Sequence, residues 1–164
     1  MGSSSKNKTA YGELVELPTK GVMRGLAEED SSVLRFLQPQ RMWYARALAE
    51  VAAGRKQGHW IWYVFPQMRG LGVSPLGHYY GLNGVADAVD YLCHPVLGAR
   101  YREMVAALLQ HAGKKTAEEV FGALDALKVW SSLTLFERAG EASCGVALAA
   151  FYGGERDAQT LALL

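Results

Sequence analysis

With 164 residues, half of them hydrophobic and a fifth charged, the chain has the length and composition of one globular domain that closes a sizeable core. Acids and bases nearly balance to a formal net charge of +1, so bulk electrostatics indicate neither nucleic acid nor an anionic membrane as partner. Cys93 and Cys144 lie far apart and outside any Cys/His ligand spacing, which argues against a disulfide framework and a zinc site and leaves buried thiols in a reducing compartment as the expectation.

No stretch is long and apolar enough to span a membrane, and the N-terminus lacks a signal-type apolar core, so a cytoplasmic protein is expected. Met1-Gly2-Ser3-Ser4-Ser5-Lys6 misses the N-myristoylation pattern because Lys6 stands where Ser or Thr is required. Residues 1–29 are rich in Ser, Lys, Gly and Glu with scattered apolar positions, and read as a flexible or partner-dependent lead-in; a helical domain is expected over 30–164.

Asp30, Ser31 or Ser32 can cap a short turn carrying Val33, Leu34, Phe36 and Leu37, and Pro39 suits the first turn of a helix that places Trp43, Ala47, Leu48 and Val51 on one face and stops at Gly54. His59 to Phe65 is aromatic and β-branched, and periodicity alone leaves it as a buried strand or a buried helix. Gly70 to Gly77 reads as a loop. Helices follow over Val85–Cys93, from Pro95 to His111, over a short segment opened by the Thr116/Glu119 capping box and closed by Gly122, over Leu124–Arg138 with Leu127, Trp130, Leu133 and Thr134 inward, over Ala142–Tyr152, and over Ala158–Leu164. The fold class is therefore mainly α, a compact single-domain multi-helix fold without internal repeats.

The run His59-Trp60-Ile61-Trp62-Tyr63-Val64-Phe65-Pro66-Gln67 is also the start of a resemblance. Together with Ala47-Leu48-Ala49-Glu50, Gly54-Arg55-Lys56, Gly70-Leu71-Gly72, Tyr79-Tyr80, Tyr91-Leu92, His94-Pro95, Lys128-Val129-Trp130-Ser131-Ser132-Leu133-Thr134-Leu135-Phe136 and Gly153-Gly154, it resembles, in order, domain-of-unknown-function family 1810. The resemblance implies a mainly helical single domain and turns the ambiguous aromatic run towards helix. The calpastatin label often attached to that family does not suit this chain, because such calpain inhibitors are disordered and poor in aromatics. Trp130, where a small aliphatic or polar residue is the family's habit, and Gly77-His78, where polar or basic residues are usual, depart from the pattern.

One constellation stands out as a candidate ligand site: His59, Trp60, Trp62, Gln67, Ser74 and Tyr79 from the central region, with Lys128, Ser131 and Thr134 from the later helix. Lys128, Ser131 and Thr134 repeat at one-turn spacing. Aromatics would stack a flat ring, hydroxyls and an amide would hydrogen-bond, and the lysine would meet a phosphate or carboxylate, which points to a nucleotide-like or ADP-ribose-like small molecule. The same residues have a structural reading, with the hydroxyls bonding back to their own helix, His59 held in the core and Lys128 lying along an apolar face.

No nucleophile elbow, zinc-protease motif, phosphate loop or dinucleotide fingerprint is present, so no cofactor and no metal is expected. A fold-level likeness to the NADAR superfamily, whose members act on ADP-ribose-linked substrates, would make the protein a hydrolase with Glu137 as the most available acid. The competing reading is a non-catalytic interaction or assembly module that docks through its N-terminal segment and exposed aromatics such as Trp43, Tyr79 and Tyr80. The basic pair Arg55-Lys56 either meets phosphate or completes a helix C-terminus.

Overall fold

The computed structural model describes residues 33–164 in full and residues 5–8 and 14–17 as backbone. Two units are resolved, Met1–Arg35 and Phe36–Leu164. In the first, β1 (Ser5–Lys8) and β2 (Leu14–Leu17) pair antiparallel, with Ser5 opposite Leu17 and Lys8 opposite Leu14. The caps expected at Asp30, Ser31 and Ser32, and most of the lead-in read over residues 1–29, lie outside the described residues.

Helices build the second unit, as the periodicity predicts. A 3-10 turn, Leu34–Phe36, runs directly into α1 (Leu37–Ala52), with Pro39 in its first turn. α2 (Ile61–Val64) and α3 (Pro75–Tyr80) are short; α4 (Val85–Cys93), α5 (Pro95–Leu109), α6 (Ala117–Phe121), α7 (Ala123–Arg138), α8 (Ala142–Phe151) and α9 (Ala158–Ala162) follow. The aromatic run is helical over only one turn. The segment expected as a loop up to Gly77 instead starts α3 at Pro75, because the Ser74 hydroxyl accepts the Gly77 N–H at 3.0 Å and Pro75 supplies a preset first turn.

Side-chain caps open α3, α5, α6 and α9. The Thr116/Glu119 capping box forms as expected, each side chain accepting the other residue's backbone N–H. His94 ends α4 and opens α5 at once, its Nδ1 accepting from Val96 and Leu97 N–H groups at 3.2 and 3.3 Å. Gly98 permits the tight turn between those helices, since a Cβ there would lie 2.0 Å from the Leu92 carbonyl oxygen.

α5 and α7 form the centre. α7 packs on α2, α4, α6, α8 and α9, and α5 packs on α1, α4 and α8. Between them, Tyr101 stacks on Phe136 at 4.1 Å, and Tyr91, Phe36, Phe65 and Phe121 join through edge-to-face contacts. Buried polar groups are paired: Gln40 donates to the Tyr63 carbonyl and to the Tyr91 hydroxyl at 2.7 and 2.8 Å, and the Tyr101 and Ser132 hydroxyls share a 3.0 Å bond. Cys144 is a buried free thiol pushed up to about 12 by burial, whereas Cys93 is exposed, against the expectation of two buried thiols.

Leu127 is 57% exposed rather than inward, while every residue from Ser131 to Phe136 is buried. The stretch Ser131–Phe136 of α7 is enclosed on all sides. An enclosed helix has no polar face, so its hydrophobic period disappears.

Candidate functional site

Two sides of α7 carry aromatic surface, and the sequence constellation is divided between the protein interior and one of them. Ser131 and Thr134 belong to the interior. Their hydroxyls donate to the Leu127 and Trp130 carbonyls one turn back, at 3.1 and 2.9 Å. Ser131 also donates to the Asp157 carboxylate at 2.7 Å, and Thr134 accepts the Asp157 N–H at 3.0 Å. Asp157 is the N-cap of α9 and takes a further bond from Thr160 at 2.6 Å. These two side chains fasten α9 to α7, the structural role that Ser and Thr at one-turn spacing also allow.

Trp60 is interior as well, 1% exposed, with its indole N–H donating to Glu50 at 2.9 Å. Glu50 is an organiser that sequence reasoning missed. Burial would raise its carboxyl, but N–H groups of Gly58, Gln57 and Trp60 together with Arg46 hold it below the ordinary value. The signal lay in the Ala47-Leu48-Ala49-Glu50 motif, where an acid follows an apolar helix stripe just before a glycine turn.

Trp62, two residues on, is in a different state. It is half-buried on α2, and its indole N–H has no hydrogen-bond acceptor among the described residues. Lys128 lies over its ring, Nζ 5.5 Å from the centroid. α3 also reaches this indole, since a Cβ on Gly77 would lie 4.0 Å from Trp62 Cδ1 and 3.1 Å from the Ser74 hydroxyl. Trp62, Lys128 and the Ser74–Gly77 turn therefore meet at one corner. Gln67 is half-buried, and its side-chain amide makes no hydrogen bond among the described residues. His59 and Tyr79 are half-buried and engaged by neighbours, Tyr79 edge-on to Tyr80 at 4.7 Å.

The charge at this corner comes from a triad. The Lys56 ammonium meets Asp125 at 2.7 Å and the Gly58 carbonyl at 2.5 Å and lies over the Trp60 ring at 5.0 Å. Lys128 meets the other Asp125 oxygen at 2.9 Å. Burial works to raise the Asp125 carboxyl, yet the two ammonium groups outweigh it and hold it below the ordinary value. Two cations on one carboxylate leave a residual charge of +1. Lys56 is 6% exposed and serves the fold, whereas Lys128 is 27% exposed and reaches solvent beside Trp62.

The opposite side of α7 holds a cavity of about 400 Å³ that the sequence did not announce as a site. Trp130 and Tyr152 stack nearly parallel along it, 6.0 Å apart and inclined by 12°, with Leu127 and Phe151 beside them. Trp130, singled out as a departure from the family pattern, donates its indole N–H to the Glu155 carbonyl at 2.8 Å, and Tyr152 donates to the Ala126 carbonyl at 2.7 Å.

Glu137 is paired with Arg156 through two bonds of 2.8 and 2.5 Å, and that guanidinium holds its carboxyl below the ordinary value. Among exposed aromatics, Tyr80 proves buried, and Trp43 is half-buried under Arg46 at 5.5 Å. No group of three or more metal-ligating side chains occurs among the described residues, and no helix there is long and apolar enough to cross a membrane.

Comparison with known proteins places this geometry in a family context. The crystal structure at 1.38 Å of the conserved hypothetical protein Rv1873 from Mycobacterium tuberculosis is similar with a TM-score of 0.78 and 45% sequence identity, covering 80% of this chain and 95% of that one. No curated protein matches the sequence. Residues 30–164 match the family described as "Protein of unknown function (DUF1810)", and the chain belongs to that family.

Proposed function

We propose that the domain binds a small anionic ligand bearing a flat ring, nucleotide-like or ADP-ribose-like, at the corner of Trp62, Lys128 and the Ser74–Gly77 turn. The observation that carries this reading is the Trp62–Lys128 pair: a half-buried indole whose N–H lacks an acceptor among the described residues, beside an ammonium that reaches solvent. The ring would stack on the indole, and the anion would meet the residual positive charge of the Lys56–Asp125–Lys128 triad. Gly77 packs its turn closely on the Ser74 hydroxyl, 3.1 Å from where a Cβ would stand, and brings α3 to the indole edge.

Binding is the part of the reading that the geometry supports. Glu137, the carboxylate on which hydrolysis would rest as a general base, has both oxygens engaged by the Arg156 guanidinium, which leaves neither free to take a proton from a nucleophile.

A thermal-shift titration of the full chain with AMP, NAD, ADP-ribose and ribose 5-phosphate tests the proposal. Ligand at a hundredfold excess over its dissociation constant stabilises by about 2.7 kcal/mol, a readily measured rise in Tm. The expected result is a saturable rise with AMP or ADP-ribose that Lys128→Ala removes. No rise with any of the four compounds would overturn it and favour the interaction module instead.

A further inference from the structure

The cavity on the Trp130 side of α7 has a chemistry of its own. Its wall combines Trp130, Phe151 and Tyr152 with Leu127, and its lining includes two carboxylates, Glu118 and Glu155, and no basic residue. Both acids are exposed, and neither forms an ion pair among the described residues. Glu119, next to Glu118, is by contrast committed to the Thr116 capping box. The cavity volume of about 400 Å³ falls within the range of small-ligand sites.

The walls are held in place. Trp130 is tied to the Glu155 carbonyl, Tyr152 to the Ala126 carbonyl, and the two rings brace each other. Such a site is formed before any ligand arrives, which reduces the ordering cost of binding.

Aromatic faces carry negative electrostatic potential, and the two carboxylates add to it. An anion is repelled from such a site and a neutral apolar molecule gains only burial. A cation with an aliphatic body satisfies both features, its ammonium between ring faces and carboxylates and its methylenes against Leu127 and Phe151. We infer that this cavity binds an organic ammonium ion with an aliphatic body, a ligand class opposite in charge to the one proposed for the Trp62 corner.

The test is an NMR titration of the full chain, following the Trp130 indole N–H, with n-pentylammonium as probe, 1-pentanol as its neutral counterpart and pentanoate as its anionic one. A Trp130→Phe variant assigns the resonance. The expected result is a saturable shift with n-pentylammonium, at a dissociation constant about tenfold lower than for 1-pentanol. The double variant Glu118→Gln/Glu155→Gln, altered only at exposed positions, removes that preference and leaves the remaining indole resonances in place. Equal binding of 1-pentanol, equal or tighter binding of pentanoate, or a Trp130 resonance that does not move with n-pentylammonium would overturn the inference.

Discussion

The two sides of α7 are built from the same materials and differ in charge. On one, Trp62 stands beside Lys128 and a triad with a residual positive charge; on the other, Trp130 and Tyr152 stand beside Glu118 and Glu155. Aromatic area supplies much of the contact energy to any flat or apolar ligand and discriminates little among them. The nearby ionised groups set which ligands are accepted, so an aromatic-rich sequence indicates binding surface without naming the ligand.

Removing the carboxylate that anchors the cationic side should have the largest effect. Asp125→Ala leaves the Lys56 ammonium buried without its counter-ion, and the expected loss is about 3–5 kcal/mol in urea denaturation. A loss below 1 kcal/mol, roughly the value of a surface pair, would show that solvent reaches Lys56 and that the triad is a surface feature.

Glu50→Ala comes next. It strands the N–H groups of Trp60, Gly58 and Gln57, at an expected cost of about 1–3 kcal/mol by the same measurement. Because Trp60 and Trp62 are two residues apart, the variant also tests whether the organised turn is what presents Trp62.

Acid titration separates these carboxylates from the rest. Glu50 and Asp125 both have folded values below their ordinary 4.5 and 3.8, so each binds its proton less readily in the folded chain. Their stabilisation is complete above those ordinary values and is lost as the pH falls through the lower folded values. Unfolding monitored by circular dichroism should therefore become easier as pH drops below about 4.5, and Glu50→Gln should make that dependence shallower. An unchanged slope would show that Glu50 titrates alike in both states.

Lys128→Ala should cost under about 1 kcal/mol, since Lys128 is partly exposed and Lys56 still pairs with Asp125. It should nevertheless remove the response to AMP or ADP-ribose, a dissociation of stability from binding that a purely structural lysine would not give. The smallest effect is expected for Glu118→Gln/Glu155→Gln, with an unchanged Tm and an altered preference among cationic, neutral and anionic probes.

Much of the fold could be read from the chain because its signals are local. Val85–Cys93 is found with the boundaries the sequence predicts, and the Thr116/Glu119 box and the Pro95 start lie where short-range chemistry puts them. Ser74 reads as a polar residue before proline, but its cap depends on Gly77 closing the turn, so the first three residues of α3 fall within the segment that reads as loop.

The site was less legible, because its parts are sorted by tertiary contact. Ser131 and Thr134 share a helical face with Lys128 in any sequence reading, yet Asp157, more than 20 residues away, draws the two hydroxyls inward. Trp60 and Trp62 look alike in sequence, and tertiary contacts distinguish them: Glu50 accepts the Trp60 indole N–H and Lys56 covers its ring, while Lys128 lies over Trp62. The Lys56–Asp125 pair joins the turn between α1 and α2 to α7 and leaves no periodic trace, while the cavity at Trp130 arises where α6, α7 and α8 meet.

The most direct test follows the indole N–H resonances of the chain's four tryptophans during titration with ADP-ribose. The account predicts that the Trp62 resonance shifts and saturates, that Trp130 stays in place, and that Lys128→Ala abolishes the shift. A stationary Trp62, or a response centred on Trp130, would contradict the assignment of the anionic ligand to the cationic side of α7.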